Sequence, residues 1–417
     1  MDLTVQPGRL HGTVTVPPSK SAAHRAIISA ALGDGRSIIS NVDLSNDMRA
    51  TIGACRALGV DMQMDGNTLT VDGGRLRLTG KPIDCAESGS TLRFFIPVAC
   101  TLEGEKTFTG QGRLPLRPVD AYLQIFETQG IGYTRPPGAN LPLTVSGALR
   151  SGEFRVDGRV SSQFVTGLLF ALPLLDGDSL VSVIGGFESR GYVDLTVNML
   201  RRFGIDIAVD GDTFFIRGNQ QYQPQTLRVE GDYSQAAFFL VGGAISGGIR
   251  VDDLDALSLQ PDRAIVDILK SMGAVISTEG GALVSRPARL HGTVIDVSQC
   301  PDLVPPLTVA AAYAEGVTHI TGAARLRIKE SDRLHALARN LGALGIRAEE
   351  LPDGLIIHGG QPMGGETDSF GDHRIAMAFA VAAAGASGPV TIHGAECVDK
   401  SYPKFYEDYK ALGGDIQ

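Results

Sequence analysis

The chain has 417 residues, 43% hydrophobic and 20% charged, with a formal net charge of −9 and no tryptophan. That composition suits a large soluble protein of two or more lobes. No apolar stretch approaches the roughly 20 residues that span a bilayer, and the acidic balance disfavours nucleic acid as a bulk partner. The five cysteines, Cys55, Cys85, Cys100, Cys300 and Cys397, are scattered with no C-x-x-C spacing, which fits reduced thiols in a cytoplasmic protein. The eight histidines show no H-x-x-x-H pattern that would argue for a metal. The opening Leu3-Thr4-Val5 reads as a strand, without a charged-then-apolar leader.

In chain order, the first helix is expected over 19–31 and a second over 47–58, where apolar residues recur at helical spacing behind Asp47. Gly59 then suits the left-handed position just past a helix, where a Cβ is costly. Residues 60–69 turn on Asp65-Gly66, a hairpin signal between alternating apolar positions. Strongly apolar helices are expected next over 89–100 and 161–172, each followed by a helix-like run that closes on Gly130 or Gly204. Residues 205–216 repeat the hairpin on Asp210-Gly211. The pattern continues with helices over 232–244, 301–314 and 372–384, and with closing glycines at Gly273, Gly345 and Gly413. The six glycines lie 68 to 74 residues apart across the whole length. Near-constant spacing implies six copies of one unit, ordered strand, helix, strand, helix, strand, strand. The first helix of each copy is buried and the second is packed outside it.

Aligned on these glycines, unusual polar residues gather at two phases. The first, 38 to 43 residues before the glycine, holds Lys20 and Ser21, Gly89, Ser161-Ser162-Gln163, Asp232, Asp302 and Asp372. The second, 11 to 13 residues before it, holds Asp47, Arg117, Tyr192, Asp262, Arg333 and Lys400. Both phases are expected helix N-termini, which offer free N–H groups and a positive dipole end to anions. Lysine and arginine are unfavourable there unless an anion binds, so a site for several anionic groups is implied. Taken singly, each cluster has a plainer reading. Ser19 could cap a helix with a solvated basic turn, and 329–333 could be a run of surface ion pairs worth a few tenths of a kcal/mol each. Their conjunction in order and in phase is far more specific.

The motifs are Pro-Ser-Lys-Ser-x-x-x-Arg at 18–25, Ser-Gly-Ser-Thr-x-Arg at 88–93, Arg-Leu-Pro-Leu-Arg-Pro at 113–118 and Ser-Ser-Gln-Phe at 161–164. They continue with Pro-Asp at 301–302, Arg-Ile-Lys-Glu-Ser-Asp-Arg at 327–333, Gly-Asp-His-Arg at 371–374 and Asp-Lys-Ser-Tyr-Pro at 399–403. On these motifs the chain resembles the 5-enolpyruvylshikimate-3-phosphate synthase (3-phosphoshikimate 1-carboxyvinyltransferase) family over essentially its full length. The resemblance implies an α/β fold of two lobes, an inside-out α/β barrel of six βαβαββ repeats, three per lobe, with the active site in an interdomain cleft. It also implies a crossover that the repeats alone do not show: lobe I would hold 1–18 plus 230–417, on the phosphoenolpyruvate side, and lobe II 19–229, on the shikimate 3-phosphate side.

Carried over by matched position, Lys20, Ser21, Arg25, Ser161, Ser162, Gln163, Ser189, Tyr192, Asp302 and Lys329 would bind shikimate 3-phosphate. Lys20, Gly89, Arg117, Gln163, Arg333, Arg374 and Lys400 would bind phosphoenolpyruvate, whose carboxylate and phosphate suit bidentate arginines. Asp302 would act as base, and Glu330 with Lys20 would manage proton transfer at the methylene carbon. The resemblance implies no metal or organic cofactor and inhibition by glyphosate at the phosphoenolpyruvate site. A cytoplasmic monomer is expected, since nothing in the sequence requires an oligomer, and like charges lining an empty cleft predict a form more open without ligands. Two positions depart from the family. Glu87 stands where many relatives have Asn, and is expected to face a cation such as Arg93 or Arg113. Arg325 stands where some use Asn on shikimate, so that contact is not carried over. The sister transferase acting on UDP-N-acetylglucosamine typically has a reactive cysteine where this chain reads Gly110-Gln111-Gly112-Arg113-Leu114, and Lys-Asn rather than Lys-Ser at the first cluster. A non-catalytic scaffold that senses phosphorylated metabolites would not require Lys20, Asp302 and Glu330 together.

Overall fold

The computed structural model describes every residue from Met1 to Gln417. All six marker glycines take positive φ, at 82° for Gly59, 69° for Gly130, 81° for Gly204, 96° for Gly273, 78° for Gly345 and 91° for Gly413. Each ends a helix in the left-handed conformation that only a residue without Cβ adopts cheaply. The expected hairpins form as well, with Asp65 paired to Thr68 and Asp210 to Thr213 across two-residue turns.

One repeat shows how the unit is built. Val294–Asp296 pairs in parallel with Val317–Thr321, which pairs antiparallel with Gly354–His358, itself antiparallel to Ala348–Leu351. The helix Val304–Ala312 joins the parallel pair, and Arg333–Ala343 joins the second strand to the hairpin. Six four-stranded sheets share this arrangement.

The chain divides into two compact units, Met1–Ser19 with Glu230–Gln417, and Lys20–Val229. Ser19 falls in the first unit, one residue later than the sequence boundary, and its N–H donates to Glu230 O at 2.7 Å. Two repeats borrow their first strand from far along the chain. Gly12–Thr15 runs parallel to Ile249–Asp252, serving the repeat that contains helix Tyr233–Ile245. Thr226–Arg228 runs parallel to Gly35–Ser40, serving the repeat that contains helix Lys20–Leu32. Leu3–Gln6 completes the last sheet, antiparallel to both Val390–His393 and Asp415–Ile416.

In the first unit the helices Tyr233–Ile245, Val304–Ala312 and His373–Gly385 pack against one another and are buried almost throughout, as helices apolar on every side must be. In the second unit Lys20–Leu32, Gly89–Ala99 and Ser162–Ala171 are the corresponding buried helices. Gly167 permits the close approach of the last two, since a Cβ there would lie 2.4 Å from Arg93 O. The second helices, such as Asn46–Ala57 and Arg190–Arg202, bury one face only.

Two expected helix starts lie elsewhere. Arg117 follows the 3-10 turn Leu114–Leu116 in extended conformation, and the helix begins only at Asp120. Pro118 is the reason, because a residue before proline is driven out of the α region. Lys400 ends the 3-10 turn Ala395–Lys400, with Pro403 interposed before the helix Phe405–Ala411.

Candidate functional site

In the first unit, Arg333 opens the helix Arg333–Ala343 behind an Asp332 cap, with its side chain only 2% exposed. Its guanidinium meets three carboxylates. Nε donates to Asp372 Oδ2 at 2.7 Å, Nη1 to Asp302 Oδ1 at 2.9 Å and Nη2 to Glu330 Oε2 at 3.0 Å. Burial would lower the Arg333 pKa, but Asp372, Glu330 and Asp302 raise it, so the cation is permanent.

Asp302 sits in the 3-10 turn Pro301–Leu303 that leads into Val304–Ala312. Arg374 Nη2 lies 3.4 Å from Asp302 Oδ2, and Lys329 Nζ lies 3.8 Å from Oδ1. Burial would raise the Asp302 pKa, but Arg374, Lys329 and Arg333 together hold it well below the usual carboxylate value. Arg374 is buried in the first turn of His373–Gly385, whose cap Asp372 accepts from Arg374 N at 3.0 Å. Lys400 is buried in the same unit, next to Ser401, whose Oγ accepts from Gln235 Nε2 at 3.3 Å.

In the second unit, Lys20 and Ser21 open the helix Lys20–Leu32. Lys20 Nζ donates to the buried Asp47 Oδ2 at 2.8 Å. Arg25 donates from Nη1 to Ser21 O, from Nε to Thr196 Oγ1 and from Nη2 to Tyr192 O, at 2.7, 2.8 and 2.8 Å. Burial pushes its pKa down to about 10, with Tyr192 opposing, which leaves it charged at neutral pH. Ser189, buried and left-handed at φ 54°, precedes the helix that carries Tyr192.

Ser161 caps the helix Ser162–Ala171 through Gln163 N, and Gln163 Nε2 donates to Ser90 Oγ at 2.9 Å. Gly89 begins its helix with Arg117 against it: a Cβ on Gly89 would lie 2.7 Å from Arg117 Nη1. Glu87 Oε1 lies over Gly112, where a Cβ would come within 2.7 Å of it. Arg325 Nη2 donates to Ser298 O at 2.8 Å.

The structure thus gathers Asp302, Lys329, Glu330, Arg333 and Arg374 into one ionic cluster. It also gathers Lys20, Ser21, Arg25, Tyr192, Ser161, Gln163 and Gly89 in the opening turns of neighbouring helices of the other unit, with the extended Arg117 set against Gly89. Sequence reasoning did not assign Asp372 as the carboxylate that receives Arg333, although its phase marked it. It also missed a buried chain of hydrogen bonds. His24 Nδ1 and Thr51 Oγ1 share one of 2.7 Å, Thr51 and Thr91 hydroxyls share another of 2.7 Å, and Thr91 Oγ1 donates to Ser88 Oγ at 2.8 Å. The Thr51 and Thr91 spacing carries no motif, so nothing short of the packed helices reveals it.

Within each unit, fixed cations and helix starts are concentrated in the manner needed to hold anions. A family model for EPSP synthase (3-phosphoshikimate 1-carboxyvinyltransferase) matches residues 5–409. The chain is 50% identical over 419 residues to the 3-phosphoshikimate 1-carboxyvinyltransferase of Clostridium kluyveri, covering 99% of this chain and 98% of that one. It is 49% identical to that of Clostridium acetobutylicum, covering 99% and 97%. Among solved structures, EPSP synthase from Acinetobacter baumannii superposes with a TM-score of 0.83 at 30% identity, over 100% of this chain and 99% of that one. The enolpyruvyl transferase NikO from Streptomyces tendae shares the fold, with a TM-score of 0.82 at 19% identity over 100% and 98%. No helix is long and apolar enough to cross a membrane. With the two-unit α/β fold and nearly the whole sequence in agreement, the chain belongs to the EPSP synthase family.

Proposed function

We propose that the protein transfers the carboxyvinyl group of phosphoenolpyruvate to the 5-hydroxyl of shikimate 3-phosphate, releasing phosphate, a step toward aromatic amino acids. The observation that carries this reading is Asp302, a carboxylate kept ionised among Arg374, Lys329 and Arg333.

In the first stage C3 of the enol gains a proton and C2 becomes cation-like. The 5-hydroxyl oxygen bonds to C2 and gives up its proton. In the second stage the new methyl group loses a proton, the bond from C2 to the phosphate oxygen breaks, and phosphate leaves. Asp302 receives the hydroxyl, and Glu330 with Lys20 serves the protons at C3. A carboxylate held this far below its ordinary pKa is a weak base while its cations are unshared. Phosphoenolpyruvate bound to Arg333 and Arg374 places negative charge on both, so Asp302 gains basicity as the substrate arrives. Arg117, Gly89, Gln163, Lys20 and Lys400 complete the phosphoenolpyruvate ligands. Lys20, Ser21, Arg25, Ser161, Ser162, Gln163, Ser189, Tyr192, Asp302 and Lys329 bind shikimate 3-phosphate. Glyphosate competes with phosphoenolpyruvate, and the protein works as a cytoplasmic monomer.

A phosphate-release assay with both substrates, repeated with UDP-N-acetylglucosamine as acceptor, tests the reading. Turnover with shikimate 3-phosphate alone is expected; turnover only with the nucleotide sugar would overturn it.

A further inference from the structure

Arg93 is almost fully buried in the helix Gly89–Ala99, with its guanidinium 5.1 Å above the Phe164 ring. It grips two segments of the second unit at once. Nη1 donates to Gln163 Oε1 at 2.7 Å, while Nε and Nη2 donate to Pro118 O at 3.4 and 3.1 Å. An arginine has only donors, so it dictates that Gln163 presents its carbonyl oxygen inward. The Gln163 amino group must then point the other way, where Nε2 meets Ser90 Oγ at 2.9 Å. Facing an anion, a glutamine is useful only with its N–H₂ side outward, and Arg93 selects that orientation.

The second grip bears on Arg117. Its carbonyl accepts from Asn140 Nδ2 at 2.9 Å, and the next carbonyl, that of Pro118, is the one Arg93 holds. Asn140 is itself buried, its N–H bonded to Pro115 O at 2.6 Å and its Oδ1 to Arg135. Two consecutive peptide groups are therefore fixed by side chains from different elements, and the Arg117 guanidinium is delivered against Gly89.

We propose that Arg93, assisted by Asn140, is a positioning residue that sets both the Gln163 amide and the Arg117 guanidinium for phosphoenolpyruvate. The inference rests on the enzymatic reading above. A residue that merely fills the core would lower stability without acting through Arg117 or Gln163.

The test is a double-mutant cycle in the phosphate-release assay with both substrates. Arg93→Met is expected to raise KM for phosphoenolpyruvate by about tenfold or more, and to have much less effect in an Arg117→Ala or Gln163→Ala background, because coupled residues are not additive. Arg93→Lys keeps the charge and stem but loses the fork, so it serves if Arg93→Met does not fold, and about the same rise in KM is expected. Asn140→Ala should shift KM in the same direction. An unchanged KM in Arg93→Lys, or full additivity with both Arg117→Ala and Gln163→Ala, would overturn the inference while leaving the enzyme assignment intact. A wild-type protein without turnover would overturn both.

Discussion

Asp372 holds Arg333 with both carboxylate oxygens, Oδ2 to Nε at 2.7 Å and Oδ1 to Nη2 at 3.2 Å, and accepts from Ser331 Oγ at 3.1 Å. One fully buried aspartate thereby caps the helix that carries Arg374 and orients the first side chain of another. Asp372→Asn keeps an adequate cap but removes the charge beside a buried guanidinium. Urea unfolding should show a loss of about 3 kcal/mol, typical of breaking a buried pair, and kcat/KM for phosphoenolpyruvate should fall with it. Wild-type stability and kinetics in this variant would mean that Arg333 needs only Asp302 and Glu330.

His24 makes stability depend on mild acid. Burial pushes its pKa down to about 3, Asp47 opposing and Lys20 and Arg25 reinforcing the shift. Between the unfolded value, near 6.5, and about 3 the unfolded chain binds the extra proton, so stability falls as pH drops through that window by up to about 1.4 kcal/mol per unit. His24→Gln should flatten the pH dependence of the unfolding free energy from about pH 6 to 4. An unchanged slope would exclude His24 as its source.

Asp302 acts lower on the pH scale and in the usual direction for a carboxylate. Its folded pKa is depressed by Arg374, Lys329 and Arg333 against the opposing effect of burial, so its contribution is present above about pH 4 and lost as pH falls toward the folded value. Asp302→Asn should be less stable than wild type at neutral pH, with the two unfolding curves converging in strong acid. A constant gap at every pH would contradict this.

At Gly89 the expected effect is on ligand binding rather than on stability. An added Cβ would press on Arg117 at 2.7 Å from Nη1 and 2.8 Å from Cζ, the far end of a flexible side chain that can move aside. Gly89→Ala should keep its melting temperature within about 2 °C, since only the end of one flexible side chain has to shift and no backbone is pressed. Its KM for phosphoenolpyruvate should nevertheless rise, as steady-state kinetics would show; an unaltered KM would remove Arg117 from that role.

The repeated fold was legible because its signals are local. A glycine past a helix end and an Asp-Gly turn each act over a few residues, and Gly59, Gly204 and Gly345 all behave as their surroundings dictate. Helix starts at 19–21, 89, 161–162, 232–233 and 372–373 were readable for the same reason. The strand exchange was not readable from the repeats, because strand pairing carries no local signature: nothing in Gly12–Thr15 says that its neighbour is Ile249–Asp252. At Arg117 and Lys400 the spacing ruler slipped because Pro118 and Pro403 delay their helices. Asn140 was invisible for another reason. It is one polar residue in a loop rich in proline and glycine, and only the folded loop brings its amide to the Arg117 carbonyl.

The borrowed strands also govern when the molecule can be finished. Leu3–Gln6 pairs with Val390–His393 and Asp415–Ile416, which are made several hundred residues after it. The unit Lys20–Val229 has all its strands once Thr226–Arg228 emerges. The other unit must wait until Val390–His393 and Asp415–Ile416 emerge, with Leu3–Gln6 unpaired while all the chain between them is made. Such distant pairing is slow and leaves edges exposed. The second unit is in effect an insertion that matures inside a host still under construction, and the Ser19–Glu230 hydrogen bond closes the host behind it.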